Sequence, residues 1–293
     1  MVAREDRTRR RVRLKVALAA GVIALAGLAG PPAHAQGSGG GAQPSGSDAQ
    51  DLAKQLSNPV ANLVSVPFQF NWENGVGDND DTRYVMNLQP VVPFGLNENW
   101  NLIGRWIMPF VNQPPLAPGL EATSGPGDIV ASGFFSPAKP KRAVWGIGPV
   151  FSLPTTSDRF LGSGKWSAGP TFLILKQSGP WTYGGLANHL WSFADNSDVD
   201  RDDVNGTLVQ PFLSFSTNSG FTYSVNSEAV ANWEADSGEE WTIPINVQIS
   251  KITKFGPFPF QVGFGGGYYV ESPDGGPQWK LRTVFTLILP KGK

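Results

Sequence analysis

The chain has 293 residues, 11% of them aromatic, with 35 glycines, 25 prolines, no cysteine and a formal net charge of −1. The lack of cysteine excludes a disulfide framework and a zinc–thiolate site, and no basic patch is present to serve a nucleic-acid partner. Beyond residue 35 no stretch approaches 18 continuous apolar residues, so no membrane helix is expected there; the composition suits many strands and tight turns.

Residues 1–35 read as a secretory signal peptide. Arg4 to Lys15 is basic, Val16 to Ala29 is apolar, and Ala33-His34-Ala35 forms a small-x-small cleavage site. Seven of the 23 basic and two of the 24 acidic residues lie in this leader. The remainder carries 16 against 22, a net of −6. Residues 36–47 (QGSGGGAQPSGS) form a Gly/Ser-rich linker with nothing apolar to bury. Asp48 to Leu56 is predicted as a helical turn or two, with Leu52 and Leu56 on one face. It would serve equally as a periplasmic arm or as a plug. The domain division expected is thus leader 1–35, linker and short helical segment 36–61, and a β-barrel over 62–293.

From Asn62 onward twelve strand-like runs follow, near 63–73, 82–94, 99–110, 128–136, 143–153, 166–176, 181–193, 204–216, 221–233, 241–252, 258–270 and 279–289. At about ten residues or more they are long enough to cross a bilayer on a tilt. Several alternate with period two. Trp241, Ile243, Ile245, Val247 and Ile249 share one face, and Thr242, Pro244, Asn246, Gln248 and Ser250 the other. Phe258, Phe260, Val262 and Phe264 oppose Gln261, Gly263, Gly265 and Gly267. The runs at 181–193 and 204–216 are ambiguous, the first because Leu186 and Leu190 oppose Trp181, Tyr183 and Trp191. Trp166, Trp181 and Trp191 stand at the ends of runs, as boundary anchors do.

Alternation alone also describes a soluble sandwich; the connections discriminate. Even-numbered ones are short and odd-numbered ones mostly long. The odd ones also hold most of the acid: Asp78, Asp80 and Asp81; Asp195, Asp198, Asp200, Asp202 and Asp203; Glu234 to Glu240; Glu271 and Asp274. Basic residues (Lys139, Lys141, Arg142, Lys176, Lys251, Lys254) collect at the opposite end. An even number of strands with loops sorted this way is expected of an all-β, antiparallel transmembrane barrel in the bacterial outer membrane. Pro90, Pro149, Pro170, Pro211 and Pro244 fall inside runs and are expected at rims or bulges, because each lacks a ladder donor.

The segments NPVANLVSVPFQFNWENGVG (58–77), GPGDIVASGFFSP (125–137), FSLPTTS (151–157), GSGKWSAGP (162–170) and LANHLWSFAD (186–195) resemble the bacterial outer-membrane proteins grouped as the MetA-pathway of phenol degradation family. The resemblance spans about residues 48–291. It implies a barrel of the transporter type, some of whose members stand beside aromatic-degradation functions, and it implies no catalytic residue. The final strand, TVFTLILPKGK, departs from the family's usual ending, which keeps an aromatic before Pro-Lys.

Little in the sequence argues for chemistry. His189 is the single histidine after the leader, and Asp195, six residues along an extended strand, would lie about 20 Å away; a catalytic pair is not expected, nor is a zinc or copper site. No cofactor is expected. DNSDVDRDD (195–203) has the composition of a calcium loop but lacks the glycine and terminal glutamate of an EF-hand, so it reads as a solvated acidic loop, with weak divalent bridging to lipid phosphates as a further role. By parity the interior-facing set contains Arg83, Asn87, Gln89, Arg105, Asn226, Glu228, Asn246, Gln248, Gln261, Lys280 and Arg282. Wall glycines (Gly146, Gly148, Gly263, Gly265) are expected to leave room beside them. Arg105, Arg282 and Glu228 would set the field of a narrow wet pore, or pair with one another and close it. The function expected is passive passage of small solutes, aromatic or hydrophobic ones among them. The partners expected are outer-membrane lipid, lipopolysaccharide, the solute and the barrel-assembly machinery. The alternatives are a non-conducting structural or surface-binding barrel and an exported soluble ligand-binding barrel.

Overall fold

The computed structural model describes residues 46–196, 201–255 and 258–289. The leader, most of the linker, Asp198, Asp200 and the last four residues lie outside the described residues.

Period-two patterning gives fifteen strand segments: β1 (Val64–Val76), β2 (Asp81–Leu88), β3 (Val91–Gly95), β4 (Trp100–Gln113), β5 (Thr123–Pro126), β6 (Ile129–Pro137), β7 (Val144–Leu153), β8 (Lys165–Ser178), β9 (Trp181–Asp195), β10 (Asn205–Ser216), β11 (Phe221–Ser227), β12 (Ala229–Asn232), β13 (Trp241–Phe255), β14 (Phe258–Glu271) and β15 (Trp279–Leu289). Every pairing is antiparallel between chain neighbours, and β1 pairs with β15 from Val64↔Leu289 to Asn74↔Trp279. That last pairing closes the sheet. Because β2/β3, β5/β6 and β11/β12 are each one interrupted stave, the closed sheet is a twelve-strand barrel. Closure leaves no open edge.

Prolines stand at two of these interruptions and at two gaps in the ladder. Pro90 sits in the break between β2 and β3. Pro149 and Pro170 face one another across β7 and β8, and on the far side of each the ladder skips: β6–β7 has no pair between Ser132↔Val150 and Phe135↔Ile147, and β8–β9 none between Ala168↔Trp191 and Thr171↔Asn188. Pro211 and Pro244 flank the β11/β12 break at Glu228 on both sides, where neither can donate an N–H. These prolines therefore lie mid-strand more often than at rims.

The outer surface is apolar over most of its height. Ile147, Phe151, Phe172, Ile174, Val209, Leu213, Val225, Ile245, Val247, Ile249 and Leu281 all project outward and are exposed. Aromatic pairs ring this band. Trp100–Trp145 and Trp181–Phe215 lie at one end, with centroids 5.8 and 4.8 Å apart, and Trp233–Trp241 at the other, 5.8 Å apart. Edge-on packing of amphipathic rings is what a membrane–water boundary favours. Leu186 and Leu190 point inward while Trp181, Tyr183 and Trp191 point outward, so β9 is apolar on both faces, which explains its ambiguous periodicity.

The connections at 96–99, 138–143, 179–180 and 217–220 share one end, where β13 also ends and β14 begins; those at 77–80, 114–122, 154–164, 233–240 and 272–278 share the other, where β9 also ends and β10 begins. Helix α1 (Gly46–Leu56) lies across the short-turn end. It starts two residues before the predicted Asp48, and Asp48 in its first turn and Lys54 in its last complement the helix dipole. Ala53 and Leu56 are buried on Leu63, Ile252 and Ile288, with Leu52 alongside. Gln50 Nε2 donates to Ser216 O at 2.8 Å and Gln177 Nε2 to Lys54 O at 2.7 Å. The chain then turns at Asn58, whose Oδ1 accepts Val60 N–H, and Val60 enters the interior against Phe134. The helix is a cap, not a free arm.

Candidate functional site: the barrel interior

Inward-facing side chains divide into two walls. One is apolar: Val60, Val91, Ile103, Phe134, Leu173, Leu175, Leu186, Leu208, Phe212 and Val230 form one cluster, and Ile107, Val130, Val150 and Leu190 another. The other wall, carried by β1, β2 and β11–β15, is polar and charged.

On the polar wall Glu228 is 1% exposed. Its two oxygens accept Arg282 Nη1 and Nη2, each at 2.8 Å, in a bidentate fork, and Oε2 also accepts Lys280 Nζ at 3.0 Å. Arg282 Nε donates to Asn71 Oδ1 at 2.8 Å. Above this, Glu73 accepts Arg83 Nε at 2.8 Å and Tyr269 Oη at 2.8 Å, and the Lys280 ammonium lies 5.2 Å over the Tyr269 ring. The two carboxylates and their cations thus form one connected network. Such buried charges are sustained only by mutual pairing and hydrogen bonding.

Two cavities flank the Arg282–Glu228 fork. One, of ≈ 40 Å³, is lined by Leu56, Ser57, Gln69, Phe212, Ser214, Thr222, Ser224, Asn226, Gln248, Ser250, Gln261, Arg282 and Val284, directly above the helix cap. The other, of ≈ 20 Å³, is lined by Asn71, Glu73, Val85, Asn87, Glu228, Val230, Thr242, Pro244, Tyr269, Lys280 and Arg282. Each admits a water or a few, and each has the polar partners that water needs.

The residues expected inside by parity are all placed on the inner face. Glu228, Lys280 and Arg282 come together in the fork, with Arg83 one link away on Glu73. Asn246 donates to Asn226 Oδ1 at 2.8 Å, Gln261 donates to Ser250 Oγ at 3.1 Å, and Gln248 lines the larger cavity. Asn87 lines the smaller cavity beside the fork, while Gln89 and Arg105 stay outside this cluster; Asn87 Oδ1, Gln89 Nε2 and Arg105 Nη2 are buried without a hydrogen-bond partner. The room expected beside the wall glycines is taken: a Cβ on Gly146 would stand 3.2 Å from Phe134 Cβ and 3.5 Å from Val60, and one on Gly263 would meet the Gln248 amide at 3.1 Å.

Glu73, Tyr269 and Asp128 were not expected. Glu73 was legible: Ser65, Gln69, Asn71 and Glu73 alternate with Val66, Phe68, Phe70 and Trp72. Tyr269 was legible too, since it continues the inward parity of Gln261, Gly263, Gly265 and Gly267 while Tyr268 points outward.

Asp128 explains why three of the quoted motifs occur in one chain. Its carboxylate, 2% exposed, accepts Thr156 N–H at 3.1 Å, Ser163 Oγ–H at 2.8 Å and Gly164 N–H at 2.9 Å. The GPGD, LPTTS and GSGK segments therefore converge on one acid. Gly164 meets it with φ +66°, a conformation a side chain would strain. The loop so pinned drives Leu161 into the mouth of the barrel against Val85 and Val111.

At the same end Lys165 Nζ bridges Asp195 and Asp203, each at 2.9 Å. The Lys165 hydrogen bond, helped by the Ser192 hydroxyl, holds the Asp203 carboxyl below the usual range. Two acids of the calcium-like segment are thus committed to a lysine, and among the described residues no group of three His, Cys, Asp or Glu is placed to hold a metal. His189 faces outward, with Nδ1 2.7 Å from Thr207 Oγ1 and its ring 4.0 Å from Trp191; it does not meet Asp195.

No family model matches the chain, and no curated protein matches it. The likeness to the MetA-pathway family therefore rests on the quoted motifs. Among solved structures the chain is similar to an outer membrane channel from Pseudomonas putida F1, at 17% identity and a TM-score of 0.60, over 78% of this chain and 96% of that one. It is also similar to the NanC porin, at 10% identity and a TM-score of 0.50, over 78% of this chain and all of that one. At such identities the likeness is one of fold: this chain has the barrel architecture of those proteins.

Proposed function

We propose that the chain is an outer-membrane channel that passes small solutes by diffusion along the polar wall of its barrel. The observation that carries this reading is the inverted polarity of a closed barrel, apolar and aromatic-ringed outside and charged within. A soluble barrel would bury its apolar face and wet its polar one. The two structural neighbours, described as an outer membrane channel and a porin, are consistent with it.

Along the polar wall a solute would meet the Glu73–Tyr269–Lys280 group, then the Arg282–Glu228 fork, then the hydroxyl- and amide-lined cavity above α1. The fork is the electrostatic constriction, and the apolar wall opposite it would offer hydrocarbon contact to a hydrophobic or aromatic solute body. The rim aromatics would sit at the lipid boundary and the acidic outer loops would face lipopolysaccharide and its divalent ions. The leader would direct export, and the assembly machinery would insert the barrel. In planar bilayers the purified protein is expected to give discrete single-channel currents. Arg282→Gln is expected to change conductance and ion selectivity. A protein that inserts but never conducts would overturn the channel and leave a structural barrel; one that stays in solution without detergent would overturn the membrane reading altogether.

A further inference from the structure

Among the described residues four cations project into the middle of the barrel, and three of them are spoken for: Arg83 by Glu73, and Lys280 and Arg282 by Glu228. Arg105 is 6% exposed, makes no ion pair among the described residues, and leaves Nη2 without a hydrogen-bond partner. Glu228 lies on the opposite side of the twelve-strand ring and is already committed to its own fork. A buried charge without a partner is costly and uncommon, and an interior that keeps one invites a counter-ion from outside.

The surroundings define what that counter-ion carries. On the inner face of β4, Arg105 stands between Ile103, which belongs to the larger apolar cluster, and Ile107, which belongs to the smaller. Its partners in register are Val91 on one side and Ser132 on the other, both short. Gln89, two residues before Val91 on the same inner face, offers a second donor, Nε2, buried and likewise unpartnered. Two donors set in a hydrocarbon wall fit one carboxylate with an apolar body attached. The planar guanidinium fork matches the two oxygens, and the ring or chain would lie on Ile103, Ile107 and Phe134.

We infer that Arg105, assisted by Gln89, is a binding station for apolar monocarboxylates, aromatic acids above all, in transit through the barrel. This rests on the channel reading for its purpose but not for its chemistry. The full protein in a planar bilayer is challenged with three probes: benzoate, acetate (the charge without the ring) and benzyl alcohol (the ring without the charge). Benzoate is expected to interrupt the salt current in resolved events, acetate more weakly by about tenfold or more, and benzyl alcohol not at all. Arg105→Gln is expected to abolish the interruption, and Arg105→Lys, which keeps the charge but not the fork, to restore part of it. The wild-type ranking stands by itself where a variant fails the heat-shift test of barrel folding. A conducting protein in which acetate and benzoate act alike, or in which Arg105→Gln still responds to benzoate, overturns the station and leaves the channel intact. A protein that does not conduct but binds benzoate over benzyl alcohol in detergent by calorimetry keeps the station and overturns the channel.

Discussion

At the scale of single residues the barrel interior is governed by who neutralises whom. Glu228 is the pivot, because one carboxylate answers two cations and sits where β11 breaks into β12 between two prolines that cannot donate to it. Glu228→Ala would leave Arg282 and Lys280 facing one another and Arg105 across the ring, with Glu73 the remaining acid of the group. The expected loss of stability is about 3–5 kcal/mol, the range for stranding a buried partner. It would be read as a lowered urea midpoint for the barrel folded into lipid vesicles. In a double-mutant cycle, Glu228→Gln with Arg282→Gln should cost well under the sum of the two single changes; additive losses would show that the fork is not a unit.

At the scale of elements, what the sequence reveals depends on whether an element's two faces differ. β13 and β14 were readable residue by residue, since large apolar side chains lie on the outer face and amides or glycines on the inner one. β9 was not, because an apolar inner wall backs an apolar outer face. Long-range events left no local mark either. That Asp128 gathers three distant loops, or that Val60 fills the space beside Gly146, depends on which staves the closed barrel makes neighbours. The helix was readable as a helix, but its place was not. Its Leu56 is buried against Leu63, Ile252 and Ile288 at the short-turn mouth, worth about 1.5–3 kcal/mol of apolar burial. Leu56→Asp should therefore loosen the cap at that mouth. The expected outcome is a larger single-channel current than wild type with unchanged heat-shift behaviour. Equal currents would mean that solutes pass without crossing the ground the helix covers.

At the scale of the whole molecule the question is which solvent the outer face meets, and two adjacent residues of β13 can answer it. Val247 is at mid-strand, points outward and is 60% exposed; Gln248 follows it, points inward and lines the cavity above the helix. In a bilayer a lysine at 247 must place its ammonium at the centre of the hydrocarbon, at a cost of about 2–4 kcal/mol, while a lysine at 248 enters a polar lumen. In water Val247→Lys would remove an exposed apolar group at no cost, whereas a lysine at 248 meets the same lumen beside Arg282 in either setting, so the ranking turns on residue 247. Folding titrations of both variants into lipid vesicles decide between the two settings. The membrane barrel predicts that Val247→Lys is the damaging change and Gln248→Lys the tolerated one, and a harmless Val247→Lys would require a soluble protein. The same pair tests the architecture as well as its setting, because a one-residue slip of β13 would turn Val247 inward and Gln248 outward.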